Sequence, residues 1–216
     1  TQGLRELPGL LSTPELQVVA VCDPNRDGED YVDWSRDGLR KSLAAAIGKP
    51  GWREGRLTPG GRDAAAEVAE LFYANKRAAD GFKGVAKYAD FRELLEKEKG
   101  LDAVKVMTPD HLHATVAIAA MKAGKRVILH KPLANRLAEA RKVIETARQT
   151  GVATHFIPAT SGGDVSTSAQ LVRAGEIGRL LEIHNWSSRP VWPQYATLPA
   201  DTPPVPKDFI WDLWLG

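Results

Sequence analysis

The sequence has one cysteine, Cys22, two methionines and few aromatic residues, 7% in all. A single cysteine rules out an intrachain disulfide framework and a cysteine-rich zinc module. No apolar run approaches the roughly 18 residues that cross a bilayer, and no signal-peptide pattern is present. Neither sign of charge dominates: 29 Lys and Arg against 27 Asp and Glu leave a net charge of +2. That balance offers no broad basic field to nucleic acid or to an anionic membrane, so neither is expected as a partner. Internal repeats are absent as well. What remains is an ordinary globular composition, 43% apolar and 26% charged, over 216 residues. At roughly 150 residues per domain this is one domain and part of another. A soluble, cytoplasmic protein is expected, with a secretion signal upstream of Thr1 as the alternative. Both ends read as cut through structure. The amphipathic pattern Leu4, Leu7, Leu10, Leu11 begins at once, and the chain stops in the apolar cluster Trp211-Asp212-Leu213-Trp214-Leu215-Gly216.

Apolar runs of strand length alternate with helical stretches. Gln17 to Cys22 (QVVAVC) is β-branched and closed by Asp23-Pro24; Asp102 to Met107 is closed by Thr108-Pro109; Lys125 to Leu129 is closed by His130-Lys131-Pro132. Val152 to Phe156 is the next strand of this kind. Helical periodicity covers Leu112 to Ala123 and Leu137 to Thr150, and Asp90-Phe91-Arg92-Glu93 is a capping-box opening for a helix through Leu94 and Leu95. Strand, helix, strand in this rhythm predicts βαβ units and a mostly parallel sheet. Two stretches break it. The connection from about Arg26 to Gly84 far exceeds the usual few residues and predicts two helices, near Trp34 to Ile47 and Arg62 to Ala79, joined by a Gly/Pro-rich loop over Gly48 to Gly61. Ser187 to Asp208 holds six of the fourteen prolines and excludes a continuous helix or central strand. Just before it, Leu180 to Trp186 reads as a strand opening a second unit.

In an open parallel sheet, ligands bind outside the carboxyl ends of the strands. The polar residues at those ends are Asp23, Thr108 to His113, and His130-Lys131. An acid where Asp23 stands accepts the adenosine ribose hydroxyls in a dinucleotide fold and repels the extra phosphate of NADP, although Arg26 nearby can soften that preference; a turn-forming Asp-Pro is an equally good account. Thr108-Pro109-Asp110-His111-Leu112-His113 spans a strand end and a helix start, where free amides favour an anion. Asp110 also suits an N-cap. His111 and His113, two apart, do not face each other on a helix, so no metal site is expected. Lys131, held between a buried strand and Pro132, can hydrogen-bond a substrate hydroxyl and take its proton while hydride leaves the same carbon. From composition alone an exposed strand-end lysine is the better account.

The segment KVMTPDHLHATVAIAAMKAGKRVILHKPLANRLAEARKVIETARQTGV, with AVCDPN before it and DFIWDLWLG after it, resembles the Gfo/Idh/MocA family of oxidoreductases. That family carries Thr-Pro-Asn-x-x-His after one strand and Glu-Lys-Pro after the next. The resemblance implies an α/β fold: a Rossmann-like parallel sheet over 1–157, N-terminally incomplete and with an insertion at about 26–84. The start of a second α/β domain with an open, mostly antiparallel sheet would follow over 158–216. It implies NAD, ahead of NADP, as cofactor; a sugar, cyclitol or related polyol as substrate; and homo-oligomers through the C-terminal domain. Lys131 matches the catalytic lysine. The cofactor contacts map to Asp23, Asn25, Thr108, Pro109, Asp110, His113, His130 and Lys131. His130 stands where the family has Glu, and Asp110 where it has Asn. The first strand and glycine loop would precede Thr1, and the remaining catalytic residues would follow Gly216, so an isolated chain of this extent is expected to be inactive. Net hydride transfer is the leading activity. A glycosidase working by transient oxidation and elimination, and a non-catalytic dinucleotide-binding module, are the alternatives. Trp186, Trp192, Trp211 and Trp214 offer flat faces for a sugar ring or, the preferred reading, pack a core or a subunit interface.

Overall fold

The computed structural model describes residues 2–29, 37–77, 81–158, 164–184, 186, 197 and 199–216. Its contacts divide the chain into two compact units, 1–157 with 205–216, and 158–204.

The first unit opens with α1, Gln2–Ser12, whose Leu4, Leu7 and Leu11 recur at helical spacing and are all buried. The strands are β1, Ala20–Cys22, and β2, Ala86–Tyr88, paired in parallel, then β3, Ala103–Val106, β4, Arg126–His130, and β5, Thr154–Ile157, in a second parallel sheet of order β3-β4-β5. Between β1 and β2 lie α2, Gly38–Ile47, and α3, Arg62–Asn75; between β2 and β3 lies α4, Phe91–Lys97. A 3-10 turn, Asp110–Leu112, leads into α5, His113–Lys122, and α6, Leu137–Thr150, follows β4. The register places Val106 of β3 opposite Leu129 of β4 and His130 opposite Ile157 of β5. Consecutive parallel neighbours joined by helices are the expected βαβ units.

Each sheet has its own core. Leu4, Leu7, Leu11, Leu39, Leu43, Ile47, Val68 and Phe72 close one around α1, α2 and α3; Val106, Ala117, Ala120, Met121, Val127 and Leu129 close the other. The small side chains Ala114, Ala117 and Ala120 let α5 approach both β3–β4 and α6. Each fully buried leucine or valine contributes about 1.5–3 kcal/mol, which is what anchors the strand ends where the polar residues emerge. Asp90 caps α4 as its pattern predicts, accepting from Arg92 N–H at 2.8 Å.

Several expectations are corrected. The first strand begins at Ala20 rather than Gln17, and a short strand, β2, follows Gly84 where none was predicted. The α3 helix stops at Asn75. Residues 34–36 of the helix expected from Trp34, and 78–79 of the one expected to Ala79, lie outside the described residues. Asp110 is not an N-cap: Pro109 leads the 3-10 turn, and no side chain caps either it or α5.

In the second unit, α7 spans Asp164–Ala174. Leu180 to Trp186 forms no strand among its described residues, where Leu181 and Trp186 are 79% and 85% exposed. A strand needs a ladder partner for its backbone groups, and the described residues supply none. Trp192, with 187–196 and 198 of the proline-rich stretch, lies outside the described residues. The return segment 205–216, which ends in α8, Trp211–Leu215, packs with the first unit.

Candidate functional site

The carboxyl end of β1 is built by main-chain bonds. Asp23 N–H donates to the Tyr88 carbonyl at 3.0 Å, continuing the β1–β2 ladder, and Asn25 N–H donates to Asp23 Oδ1 at 2.8 Å. Burial pushes the Asp23 carboxyl above its ordinary range, while the Asn25 N–H and the Arg62 charge pull it back. Asn25 is buried. Its carbonyl and that of Arg26 accept from the Arg62 and Asp63 N–H groups at the start of α3, at 3.0 and 2.8 Å. Gly61 permits that approach: φ is +89°, and a Cβ there would sit 2.7 Å from the Arg26 carbonyl oxygen. Arg62 also donates from Nη1 to the Asp23 carbonyl at 2.9 Å.

The Gly48–Gly61 loop is fastened to the same end. Arg53 donates to Asp27 at 2.6 Å and to Glu67 at 3.0 Å, Arg56 pairs with Asp27 and Glu29, and Trp52 Nε1 donates to Glu67 at 3.0 Å. Charge compensation within this connection holds Asp27 below the ordinary carboxylate range despite the opposing effect of burial, through its bonds to Arg53 and Arg56.

At the ends of β3 and β4, His113 ties the two segments together. Its side chain is enclosed, 2% exposed; Nδ1 lies 2.5 Å from the Pro132 carbonyl oxygen and Nε2 2.9 Å from that of Thr108. The Lys131–Pro132 peptide is cis. Thr108 Oγ1 is buried with no hydrogen-bond partner, an orphaned donor and acceptor at the strand end. Lys131 is exposed, and Asp110 is exposed on the 3-10 turn. His130 Nε2 lies 2.8 Å from Glu6 Oε1 on α1, and Glu6 also binds Lys105 of β3. Burial would raise the Glu6 carboxyl, but the Lys105 and Gln2 bonds and the neighbouring charges outweigh it and hold the group below its ordinary value.

The return segment joins the two halves of this edge. Phe209 pairs antiparallel with Asn25, and Ile210 N–H donates to the Pro24 carbonyl at 3.1 Å; farther along, His111 Nε2 lies 2.7 Å from the Trp214 carbonyl oxygen. Trp211 and Trp214 stack at 5.1 Å, with Phe209 and His111 against the pair. Asp23, Thr108 and Lys131 thus follow the carboxyl ends of β1, β3 and β4, the return segment touches the loops after β1 and β3, and Asn25 and His113 are buried as ties. Glu6, Arg62, Asp208 and the return segment escaped sequence reasoning, because nothing local marks pairs so far apart in the chain. Among the described residues, no group of three His, Cys, Asp or Glu side chains is placed to hold a metal ion, and no helix is long and apolar enough to cross a membrane.

Two groups at these strand ends are left with unmet demands: the Asp23 carboxyl, raised by burial, and the Thr108 hydroxyl, which lacks a partner. A model named GFO_IDH_MocA, the oxidoreductase family with an NAD-binding Rossmann fold, matches residues 44–157. Levoglucosan dehydrogenase of Pseudarthrobacter phenanthrenivorans is 30% identical over 114 residues, 47% of this chain and 27% of that protein. The scyllo-inositol 2-dehydrogenase (NAD(+)) of Bacillus subtilis is 33% identical over 103 residues, 44% of this chain and 28% of that protein. The crystal structure of myo-inositol 2-dehydrogenase from Lactobacillus plantarum shares the fold, with a TM-score of 0.51 at 16% identity over 83% of this chain and 40% of its own. The matched region thus spans less than a third of the length of these two curated relatives.

Proposed function

The chain belongs to the GFO_IDH_MocA oxidoreductase family with its NAD-binding Rossmann fold, and from that premise we propose that the full-length protein transfers hydride between NAD and a carbinol carbon of a sugar, cyclitol or related polyol. The observation that carries the reading is that Asp23, the unpartnered Thr108 hydroxyl and Lys131 each follow the carboxyl end of a parallel strand, with the return segment touching the loops after β1 and β3. The names of the relatives, levoglucosan and inositol dehydrogenases, support a polyhydroxylated substrate.

The residues present fit NAD. Asp23 accepts the ribose hydroxyls, and those donors relieve a carboxylate that burial has raised. Thr108 Oγ1 gains the partner it lacks. Bound nicotinamide supplies the hydride acceptor. The Lys131 amine accepts the hydrogen bond of the substrate hydroxyl and takes its proton as hydride leaves the carbinol carbon. His113 fixes the Thr108 and Pro132 carbonyls, and so the spacing of the hydroxyl and the lysine. His130, bound to Glu6, keeps the end of β4 against α1. Residues 1–157 constitute the cofactor domain, and the substrate side begins at Pro158.

The test uses the full-length protein. Energy transfer from its tryptophans should report saturable NADH binding, and NAD should be reduced in the presence of a polyol from a panel that includes inositols and anhydrosugars. Lys131→Met should keep NADH binding and lose at least about a hundredfold in kcat, the low end of a general-base contribution. Unchanged turnover in that variant removes Lys131 from the mechanism. Absence of NADH binding overturns the reading.

A further inference from the structure

An acid at the end of the second strand of a dinucleotide fold selects NAD, and its usual counterweight is an arginine nearby that takes the 2′-phosphate of NADP. Arg26, three residues after Asp23, is placed to be that arginine. The structure gives it another partner. Arg26 Nη2 lies 2.5 Å from Asp208 Oδ1, and Arg26 N–H donates to the Asp208 carbonyl at 2.8 Å. The pairing continues through Asn25 with Phe209 and through Ile210 N–H to the Pro24 carbonyl. Main-chain bonds therefore set residues 208–210 in register against 24–26, and whatever side chain stands at 208 is delivered to Arg26.

The other arginines around this strand end are engaged as well. Arg62 is spent on the Asp23 carbonyl, Arg53 on Asp27 and Glu67, and Arg56 on Asp27 and Glu29. A 2′-phosphate brought to Asp23 would meet the Asp23 and Asp208 carboxylates, with the nearest guanidinium already neutralised. We propose that Asp208 is a cofactor-specificity residue, holding Arg26 away from a 2′-phosphate and adding a second negative charge beside the ribose site. This rests on the nucleotide reading above, with Asp23 as the ribose acid. The Arg26 side chain is 54% exposed, so its ion pair with Asp208 is weak and readily exchanged once the carboxylate is gone. An arginine so released makes charge-assisted hydrogen bonds to phosphate.

The experiment titrates the full-length protein with NADH and with NADPH by tryptophan energy transfer and reads the ratio of the two dissociation constants. It compares the unsubstituted protein with Asp208→Ala, Asp208→Asn and Asp208→Ala combined with Arg26→Ala, with folding checked by circular dichroism. The near-isosteric Asp208→Asn keeps the test intact should the alanine variant fold poorly. In both single variants the ratio should move toward NADPH by about fivefold to tenfold, and Arg26→Ala should remove the larger part of the gain, leaving the share owed to the lost Asp208 charge. An unchanged ratio in variants that bind NADH overturns the inference and leaves the nucleotide reading standing. A shift that persists in full without Arg26 overturns the role given to that arginine. Failure of the unsubstituted protein to bind either nucleotide overturns the nucleotide reading itself, and the inference with it.

Discussion

Replacing His113 by Leu tests the tie beneath the candidate site. The ring bridges the Thr108 and Pro132 carbonyl oxygens at 2.9 and 2.5 Å, within a side chain that is 2% exposed. Leucine roughly preserves the volume and removes both ring nitrogens, so the substitution isolates the polar part of the interaction. With one ring N–H to donate, the imidazole satisfies one carbonyl, and leaving that buried carbonyl without a donor should cost about 1–3 kcal/mol. A typical domain has about 5–15 kcal/mol in hand, so the variant should still fold but be strongly weakened. Glutamine keeps an amide donor that reaches one carbonyl and should recover most of the loss. Urea denaturation is the assay: the midpoint should fall while the slope, which reports the surface exposed on unfolding, stays constant. Nucleotide affinity should weaken in the same order, Leu more than Gln, because the Thr108 to Lys131 spacing is then unsupported. A loss below about 0.5 kcal/mol for the Leu variant, the scatter of an ordinary surface substitution, would refute the bridging role.

Gly61→Ala should destabilise the first unit by about 2–4 kcal/mol, since φ of +89° with ψ of 171° is essentially confined to glycine and the added Cβ would press on the Asn25 and Arg26 carbonyl oxygens; urea denaturation that matches the unsubstituted protein would count against the described approach of α3 to the Asp23 loop. Glu6 gives a pH dependence. Its carboxyl is held below the ordinary 4.5, so its contribution is present above that value and is lost as pH falls through the lower folded value. Stability measured by urea midpoint should therefore decline on acidification below about pH 4.5 less steeply in Glu6→Gln than in the unsubstituted protein, and parallel slopes would remove Glu6 from the account.

Much of the scaffold is written in local pattern. The helix over Leu137 to Thr150 matches its expected span residue for residue, β3 falls inside the run that announces it, and β4 and β5 run one residue past theirs, to His130 and Ile157. These segments carry a clear apolar period and end at turn residues, so short-range physics is enough to place them. The three residues of β2 hold too little pattern to be distinguished from loop, and they form a strand only because β1 lies alongside. Leu180 to Trp186 shows the reverse: strong β character without a described partner yields no ladder. At the candidate site, Asp23, Thr108 and Lys131 are legible because strand ends are where such folds place ligands. Glu6 and Asp208 are not, since they meet His130 and Arg26 across 124 and 182 residues, and no spacing encodes that.

The way this edge is assembled separates its architecture from its chemistry. Carbonyls of Asp23, Asn25 and Arg26 and the amides of Arg26, Arg62, Asp63 and Ile210 hold α3 and the return segment to the end of β1. Most of those bonds are indifferent to side-chain identity. The Asp23 carboxylate, the Arg26 guanidinium and the Asp208 carboxylate then ride on a frame they do little to support. A buried polar network in which side chains carry both the fold and the function resists change, because removing one partner strands another. Here only His113 has that double duty, bracing two strand ends through carbonyls that have no second donor among the described residues. Substitutions at 26 and 208 should therefore alter which nucleotide is preferred with little effect on folding, whereas those at 113 and 61 should alter both together.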